Sequence, residues 1–243
     1  MWLNRIKIFL LDLFFPKKCL ECGQADTYLC PACFNKIEIL LNNECFFCGK
    51  ITWQGKICLE CKKESYLDRV ISATNYGSPL IRELIKAFKY HFVKELAISL
   101  SQLIIKTIEA NWSLDIACPP ARQGFWDFLI VPVPLCKAKL RSRGFNQAEL
   151  LTKEISNYFN IPTETNIIKR KFPGMPQANI KDTEKRKKNI KRAFEISEPE
   201  KIRDKIIILT DDVITTGATL IEVAKILKQN SAKEVWAITV AKG

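Results

Sequence analysis

The sequence predicts an α/β domain, with a mostly parallel sheet flanked by helices, that follows a small cysteine-rich metal module. Apolar runs of strand length alternate with helical patterns after residue 68, which is typical of a parallel sheet covered by helices. Eight of the ten cysteines precede that part and form four Cys-x-x-Cys pairs. The length of 243 residues suits one such domain with a small extra module. We therefore expect the metal module at residues 1–64 and the α/β domain at residues 65–243.

The net charge of +12 favours anionic partners, either phosphorylated substrates or nucleic acid, without choosing between them. Residues 2–15 are apolar, but Asp12 interrupts them and Pro16 follows without a small-residue cleavage site, so no secretory signal is expected. We predict there a short amphipathic helix that packs on the main domain or, alternatively, lies on a membrane. No segment reaches the ~20 apolar residues of a membrane span, so a cytoplasmic, reduced protein is expected.

In a reducing compartment the paired cysteines indicate metal ligands rather than disulfides. Zinc takes four thiolates in a tetrahedron, and a two-residue spacer lets both sulfurs of a pair reach one ion. We therefore predict two structural zinc sites, and a set made only of cysteines leaves no position for a catalytic water. The sequential assignment is Cys19, Cys22, Cys30 and Cys33 for one ion and Cys45, Cys48, Cys58 and Cys61 for the other. An interleaved pairing, an iron–sulfur cluster and partial redox use are the alternatives.

The elements of the α/β domain follow from hydrophobic periodicity and from proline and glycine positions. A strand is expected at 69–76, and Gly77-Ser78-Pro79 begins a helix whose apolar residues have helical spacing. The remaining predictions are a helix at 93–110, a strand at 129–133, a helix at 145–158, a strand at 206–209, a helix at 220–229 and a strand at 235–240.

Residues 206–220, IIILTDDVITTGATL, carry most of the functional information. A buried strand runs into Asp211 and Asp212, at the strand end where open α/β sheets bind ligands. Carboxylates there accept hydrogen bonds from sugar hydroxyls and help to hold Mg²⁺. Thr215, Thr216, Gly217, Ala218 and Thr219 then lead into a helix, whose unpaired N–H groups and dipole suit a phosphate. The alternative is an ordinary capped turn, and the lack of a G-x-x-x-x-G-K-[ST] motif excludes a P-loop.

Two basic segments accompany this string. The first, VPVPLCKAKLRSRGFNQAE at 131–149, is expected to be a strand that ends at Pro134 and a loop that neutralises a pyrophosphate. The loop residues are Lys137, Lys139, Arg141 and Arg143. The second, 169–192, includes Arg170 and Arg186 and is a candidate mobile loop over the reacting groups. Either segment could instead be solvated, and the second could also bind a nucleic-acid backbone.

The string TDDVITTGATL resembles the phosphoribosyl pyrophosphate (PRPP) signature of type I phosphoribosyltransferases. With Arg141-Ser142-Arg143-Gly144-Phe145-Asn146-Gln147-Ala148 and the cysteine repeat, nearly the whole chain resembles the ComF (competence protein F) family. The resemblance implies a type I phosphoribosyltransferase fold behind an N-terminal double zinc ribbon, with PRPP and Mg²⁺ as ligands. Cys136 stands where the family often has histidine, so no proton-transfer role is expected there.

The resemblance also implies residue roles. Asp211 and Asp212 would hold the ribose hydroxyls, and residues 215–219 would cradle the 5′-phosphate. The pyrophosphate would meet five basic side chains, namely Lys137, Arg141, Arg143, Arg170 and Arg186. The catalytic set would be Asp211, Asp212 and Arg143.

Two functions remain open from the sequence. The first is Mg²⁺-dependent displacement of pyrophosphate from PRPP by an unidentified acceptor, in a protein linked to natural competence. The second is a non-catalytic PRPP sensor that binds single-stranded DNA in transformation, with Phe46, Phe47 and Trp53 stacking on bases. These aromatic residues could instead form the core of the ribbon. A competence helicase or another DNA-processing protein is a possible partner by analogy only.

Overall fold

The computed structural model describes residues 17–112, 127–170 and 193–243. The helix predicted at 2–15 and most of the basic segment 169–192, Arg186 included, lie outside these ranges. The elements are α1 (Pro31–Phe34), α2 (Leu59–Ser65), β1 (Arg69–Asn75), α3 (Pro79–Tyr90), α4 (Leu96–Trp112), β2 (Phe128–Pro132), α5 (Lys137–Arg143), α6 (Gln147–Phe159), β3 (Ile168–Arg170), β4 (Phe194–Ile196), a 3₁₀ turn (Pro199–Lys201), β5 (Ile206–Ile214), α7 (Ala218–Gln229) and β6 (Glu234–Lys242).

Four strands form a parallel sheet in the order β1-β6-β5-β2, and β3 pairs with β4 in a separate antiparallel ribbon. Each face of the main sheet has its own core, because successive strand side chains point to opposite faces. In β5, Ile208 joins the core shared with α3, α4 and α6, whereas Ile207 and Leu209 join the core shared with α7, β3 and β4. The prediction of a parallel sheet flanked by helices is confirmed.

Local signals explain where the predicted helices begin. Pro79 occupies the first turn of α3, where its missing N–H costs nothing. The Asn146 side chain accepts a hydrogen bond from the Ala148 amide, so α6 begins at Gln147 rather than at residue 145. Phe92 has a positive φ of 59°, and α4 consequently starts at Leu96, three residues later than predicted.

Two segments differ from their predicted structure. Strand β5 continues through Asp211 and Asp212 to Ile214, because β6 pairs with it as far as Lys242. The basic segment after Pro134 is the helix α5, which ends at Gly144 in the left-handed conformation. The acidic pair therefore lies within the strand, and the basic side chains lie on a helix rather than on a loop.

The cysteine module packs along the free edge of β1. The Leu40 amide donates to the Ala73 carbonyl, and the Val70 amide donates to the Gly55 carbonyl. These bonds use groups that an edge strand would otherwise expose. The boundary predicted at residue 64 falls near the end of α2, and the division into two domains stays a prediction. Within the described ranges, no helix is long and apolar enough to cross a membrane.

Candidate functional site

Eight cysteine sulfurs form two groups of four, and within each group all sulfurs lie within 4.8 Å of one another. The groups follow the sequential assignment, Cys19 to Cys33 and Cys45 to Cys61, and the interleaved pairing is wrong. Four thiolates bonded to one zinc ion at ~2.3 Å lie about 3.8 Å apart. The Cys22–Cys30 and Cys48–Cys58 sulfurs are 3.7 and 3.6 Å apart, so both groups fit structural zinc.

The surroundings of Cys19 favour the thiolate, the form that binds metal, whereas a side-chain hydrogen bond with Cys30 raises the pKa of Cys33 to about 12. Burial alone would raise the pKa of Cys19, but backbone hydrogen bonds from Cys22, Cys30 and Glu21 lower it to about 6. These backbone hydrogen bonds therefore stabilise the thiolate form of Cys19, which is the form that binds metal.

The loop between β5 and α7 has the features of an anion site. Gly217 adopts φ 72°, which a glycine accepts without strain, and the chain then enters α7. Within the described part of the chain, no protein acceptor contacts the amides of Gly217, Thr219 or Leu220. Together with Asp211 and Thr215, these residues line a small pocket of about 80 Å³. Unpaired amides at a helix start are suited to a phosphate group.

The two carboxylates of β5 diverge, because they occupy successive positions of a strand. Asp211 lines the pocket with the loop, and its carboxylate accepts a hydrogen bond from the Asp212 amide at 2.8 Å. Asp212 is buried and forms an ion pair with Lys89 of α3, with 2.8 Å between Nζ and Oδ1. Burial and then the neighbouring Asp212 charge raise the pKa of Asp211 to about 7. Lys89 and Lys139 oppose that shift, so both lysines act on the acidic pair.

The raised pKa of Asp211 makes the stability of the fold depend on pH. Between about pH 4 and pH 7 the folded protein holds a proton that the unfolded chain has released, so the free energy of unfolding should fall as pH rises. This decrease in the free energy of unfolding should be on the order of 1–4 kcal/mol. We expect Asp211→Asn to abolish it. Urea unfolding of both proteins at pH 5 and pH 7.5 measures it, and identical slopes would contradict the assignment.

The Lys89–Asp212 pair should matter more for stability than an exposed pair on the same helix. Both side chains are largely buried, so Lys89→Met leaves a buried carboxylate unpaired and should cost on the order of 2–4 kcal/mol. Lys86 pairs with Glu83 at the surface, and Lys86→Met should cost no more than about 0.5 kcal/mol. Equal urea midpoints for the two variants would show that the buried pair contributes no more to the free energy of unfolding than the exposed pair.

Helix α5 places its basic residues in two different environments. Lys137, Lys139 and Arg141 are exposed, and Lys139 is close enough to lower the pKa of Asp211. Arg143 is only 7% exposed and donates to the Gln147 Oε1 at 3.0 Å. Its guanidinium also lies over the Tyr90 ring, at 5.2 Å from the centroid. Lys139 therefore lies near the acidic pair, whereas Arg143 is buried against Gln147 and Tyr90.

Arg170 ends β3 on the small antiparallel ribbon. Its guanidinium lies over Phe194 at 5.2 Å, and its buried Nε has no hydrogen-bond partner among the described residues. The ribbon packs in the same core as α7. Arg186 lies outside the described residues, and its assignment stays a prediction.

Sequence reasoning missed Lys89 and Tyr90, which stand beside the lone His91 at the end of α3. Their partners, Asp212 and Arg143, are far away in the chain, so no local pattern connects them. The sequence shows Lys89 as a basic residue near the carboxyl end of an apolar helix. Basic residues are common there because they interact favourably with the helix dipole, so this position did not indicate a functional role.

The second zinc ribbon contacts the loop between β5 and α7. A Cβ built on Gly217 would lie 3.2 Å from Cε1 of Phe47, so the ring packs directly on the loop backbone. Phe46 and Phe47 pack against the core of the α7 face. That core includes Cys45 and Ile57 of the ribbon as well as residues of α7, whereas Trp53 is 68% exposed. Stacking of these aromatic residues on bases stays a prediction.

Two family descriptions match the chain: Phosphoribosyl transferase domain at residues 146–243 and Double zinc ribbon domain at residues 10–62. Competence protein F of Haemophilus influenzae is 30% identical over 238 residues, which cover 94% of this chain and 99% of that protein. The DNA utilization protein YhgH of Escherichia coli is 28% identical over 98% of this chain and 95% of its own length. Competence protein ComFC of Bacillus subtilis is 26% identical, with 88% and 84% covered.

The cysteine groups match the double zinc ribbon, and the parallel sheet with its acidic strand matches the phosphoribosyltransferase domain. Since the similarity extends over nearly all of both chains, the chain belongs to the competence protein F family.

Proposed function

We propose that the protein binds PRPP with Mg²⁺ at the carboxyl edge of β5 and displaces pyrophosphate from it. The observation that carries this proposal is the placement of Asp211 in one pocket with the unpaired amides of Gly217, Thr219 and Leu220. In such a pocket the carboxylate accepts hydrogen bonds from sugar hydroxyls, and the amides donate to a phosphate. One short loop separates the carboxylate from the amides. A phosphorylated sugar needs both.

The sugar phosphate would bind as follows. Asp211 would accept a hydrogen bond from one ribose hydroxyl, and Asp212 would accept from the other after turning away from Lys89. Such bonds are strongest when the carboxylates are ionised. The 5′-phosphate sits against the amides and hydroxyls of residues 215–219. Asp212 is already paired with Lys89 in the free protein, at 2.8 Å. Asp211 loses its proton near neutral pH, so its ionised form is available for a ligand there.

The pyrophosphate would lie towards α5. Lys137, Lys139 and Arg141 are exposed on that helix, and Lys139 already acts electrostatically on Asp211. Mg²⁺ bound with PRPP would supply charge neutralisation of the pyrophosphate oxygens, and the β5 carboxylates are the oxygen ligands that it prefers. Arg143 would have to leave Gln147 and turn outwards to contact the leaving group. Arg170 and Arg186 would approach from the segment that follows β3.

The reaction needs no protein nucleophile. Breaking the bond between C1 and the pyrophosphate oxygen creates positive charge on the sugar and negative charge on the leaving group. The carboxylates at the sugar and the basic helix at the pyrophosphate would stabilise the two charges in place. Holding the sugar and the acceptor together would supply the rest of the acceleration.

Pyrophosphate release tests this function. The full-length protein with its zinc is incubated with PRPP, Mg²⁺ and, in turn, nucleobases and primary amines. We expect release that depends on one acceptor and on Mg²⁺. Binding of PRPP without release for any acceptor would favour the second candidate below.

The second candidate is a non-catalytic PRPP sensor that binds single-stranded DNA. It is favoured by the net charge of +12, by the exposed basic face of α5, and by relatives whose names refer to competence and DNA utilization. Backbone contacts of this kind predict oligonucleotide binding that weakens steeply with salt. Absence of oligonucleotide binding at low salt would remove this candidate. A cytoplasmic location is proposed because the paired cysteines are suited to metal binding in a reducing compartment. A helicase or other DNA-processing partner is proposed only by analogy with the family.

A further inference from the structure

Arg143 is a buried cation with few partners. It is the last residue of α5 and only 7% exposed. A guanidinium has five N–H donors. Among the described residues, Arg143 contacts the Gln147 Oε1 at 3.0 Å and the Tyr90 ring, and it forms no ion pair with a carboxylate. Since buried charges are normally paired with an opposite charge, this inward position leaves the guanidinium incompletely satisfied.

Gln147, the partner of Arg143, also lacks hydrogen bonds. Its side chain is 1% exposed, and its buried Nε2 has no hydrogen-bond partner among the described residues. The amide –NH₂ group offers two donors, and leaving such donors unpaired in the interior costs free energy. The contact between Gln147 and Arg143 therefore holds a cation inside the protein without satisfying either side chain.

The Tyr90 ring lies over the same guanidinium, at 5.2 Å from Cζ to the centroid. Tyr90 is 59% exposed, so it lies at the surface and covers Arg143. The face of an aromatic ring attracts a guanidinium, which adds to the stability of the inward position. Lys89, the residue before Tyr90, is paired with Asp212. Two consecutive residues of α3 therefore engage Arg143 and Asp212, both of which the proposed function assigns to PRPP.

Arg143 lies on the side of α5 that faces the acidic pair. Lys139 and Arg143 are four residues apart in this helix, so they are neighbours on one face. Lys139 is close enough to Asp211 to lower the pKa of that carboxyl. A change of side-chain rotamer at Arg143 would therefore place its guanidinium near the pyrophosphate that this face of α5 is proposed to bind.

We infer that Gln147 and Tyr90 are positioning residues that hold Arg143 in an inactive, inward position, from which it turns outwards to bind the pyrophosphate of PRPP. The inference rests on the proposed function, because it requires pyrophosphate beside α5. Pyrophosphate oxygens would give Arg143 the charge-assisted hydrogen bonds that it lacks inside. Ribose 5-phosphate has no pyrophosphate and should leave Arg143 inward. The inward position then reduces the affinity for PRPP alone, in proportion to the fraction of molecules that adopt it.

Gln147→Glu tests the inference most sharply. The new carboxylate keeps the acceptor for Arg143, adds an ion pair and removes the unpaired –NH₂ group, so it should stabilise the inward position. Calorimetry and thermal unfolding are done on the full-length, zinc-loaded protein with Mg²⁺. We expect PRPP affinity to fall about tenfold or more, ribose 5-phosphate affinity to change less than about threefold, and the melting temperature to rise.

Gln102→Glu is the matched control, because Gln102 is an exposed residue of α4 and the substitution makes the same change in net charge. Its affinities for both ligands should equal those of the wild type. Two further variants should have the opposite effect on PRPP. Gln147→Met removes the acceptor for Arg143, and Tyr90→Leu removes the ring. Each should bind PRPP about threefold tighter or more, with unchanged affinity for ribose 5-phosphate.

The ratio of the two affinities separates positioning from a merely structural role. Equal losses of affinity for both ligands in Gln147→Glu would overturn the inference and leave the proposed function standing. The same conclusion would follow if the preference for PRPP over ribose 5-phosphate were unchanged in Gln147→Glu, Gln147→Met and Tyr90→Leu. Failure of the wild type to bind PRPP would instead overturn the proposed function.

Discussion

Replacement of both Asp211 and Asp212 by asparagine is expected to weaken PRPP binding by about 100-fold or more. Each carboxylate would accept a charge-assisted hydrogen bond from a ribose hydroxyl, worth roughly 1.5–3 kcal/mol, and asparagine keeps only a neutral acceptor. Two such losses correspond to about two to four orders of magnitude in the dissociation constant. Isothermal titration calorimetry with PRPP and Mg²⁺ measures the effect directly.

The control for this double variant is Asp204→Asn. Asp204 is an exposed aspartate at a positive φ of 57°, a conformation that asparagine tolerates, so this substitution changes charge without strain. Its PRPP affinity should match the wild type. Because Asp212→Asn also leaves Lys89 without its partner, the melting temperature of the double variant has to be recorded as well. A folded double variant with unchanged PRPP affinity would remove the acidic pair from the site.

Loss of the second zinc site should affect both the fold and the loop between β5 and α7. Cys58→Ser is expected to lower the zinc content from two ions to one per chain and to reduce the melting temperature, since structural zinc contributes about 10–16 kcal/mol to small zinc-binding folds. PRPP affinity should also fall, by about tenfold, because Phe47 would lose the support that holds it on Gly217. Metal analysis, thermal unfolding and calorimetry give the three readouts.

Cys30→Ser is the matched comparison, because it removes one ligand from the first site. Cys30 packs in the core of the other face of the sheet, with α3, α4 and α6, away from the loop between β5 and α7. The zinc loss should be equal and the melting temperature should also fall, but PRPP affinity should stay close to that of the wild type in the folded fraction. Equal loss of PRPP affinity in both variants would show that the effect is general destabilisation and not the Phe47 contact.

The predictable features are those that one short segment encodes. Each Cys-x-x-Cys pair needs only a local turn, and four pairs in succession predicted both metal groups. The strand and helix around Gly217 were predictable for the same reason, since apolar residues, small loop residues and a helical pattern follow one another within fifteen positions. The sequence did not show that β6 would extend β5 past the carboxylates, because the length of a strand depends on its neighbour.

The missing features depend on contacts between distant segments. Lys89 meets Asp212, and Phe47 meets Gly217, only after the sheet has formed. The basic run of α5 was predicted to be a loop because its charged residues hide the helical period. Gly144, which ends that helix at φ 67°, was the local sign of a helix. Such contacts between distant segments shape the site of this chain, and they cannot be read from one short segment of its sequence.

A calorimetric comparison of PRPP with ribose 5-phosphate tests most directly whether β5, the loop and α5 form one site. Both ligands carry the ribose hydroxyls and the 5′-phosphate, but only PRPP carries the pyrophosphate that α5 would bind. We expect one PRPP per chain in the presence of Mg²⁺, at least tenfold tighter than ribose 5-phosphate, and a smaller advantage when Lys139 and Arg141 are replaced by Gln. Equal affinity for the two ligands, or no PRPP binding by the zinc-loaded protein, would contradict a PRPP site at this edge of the sheet.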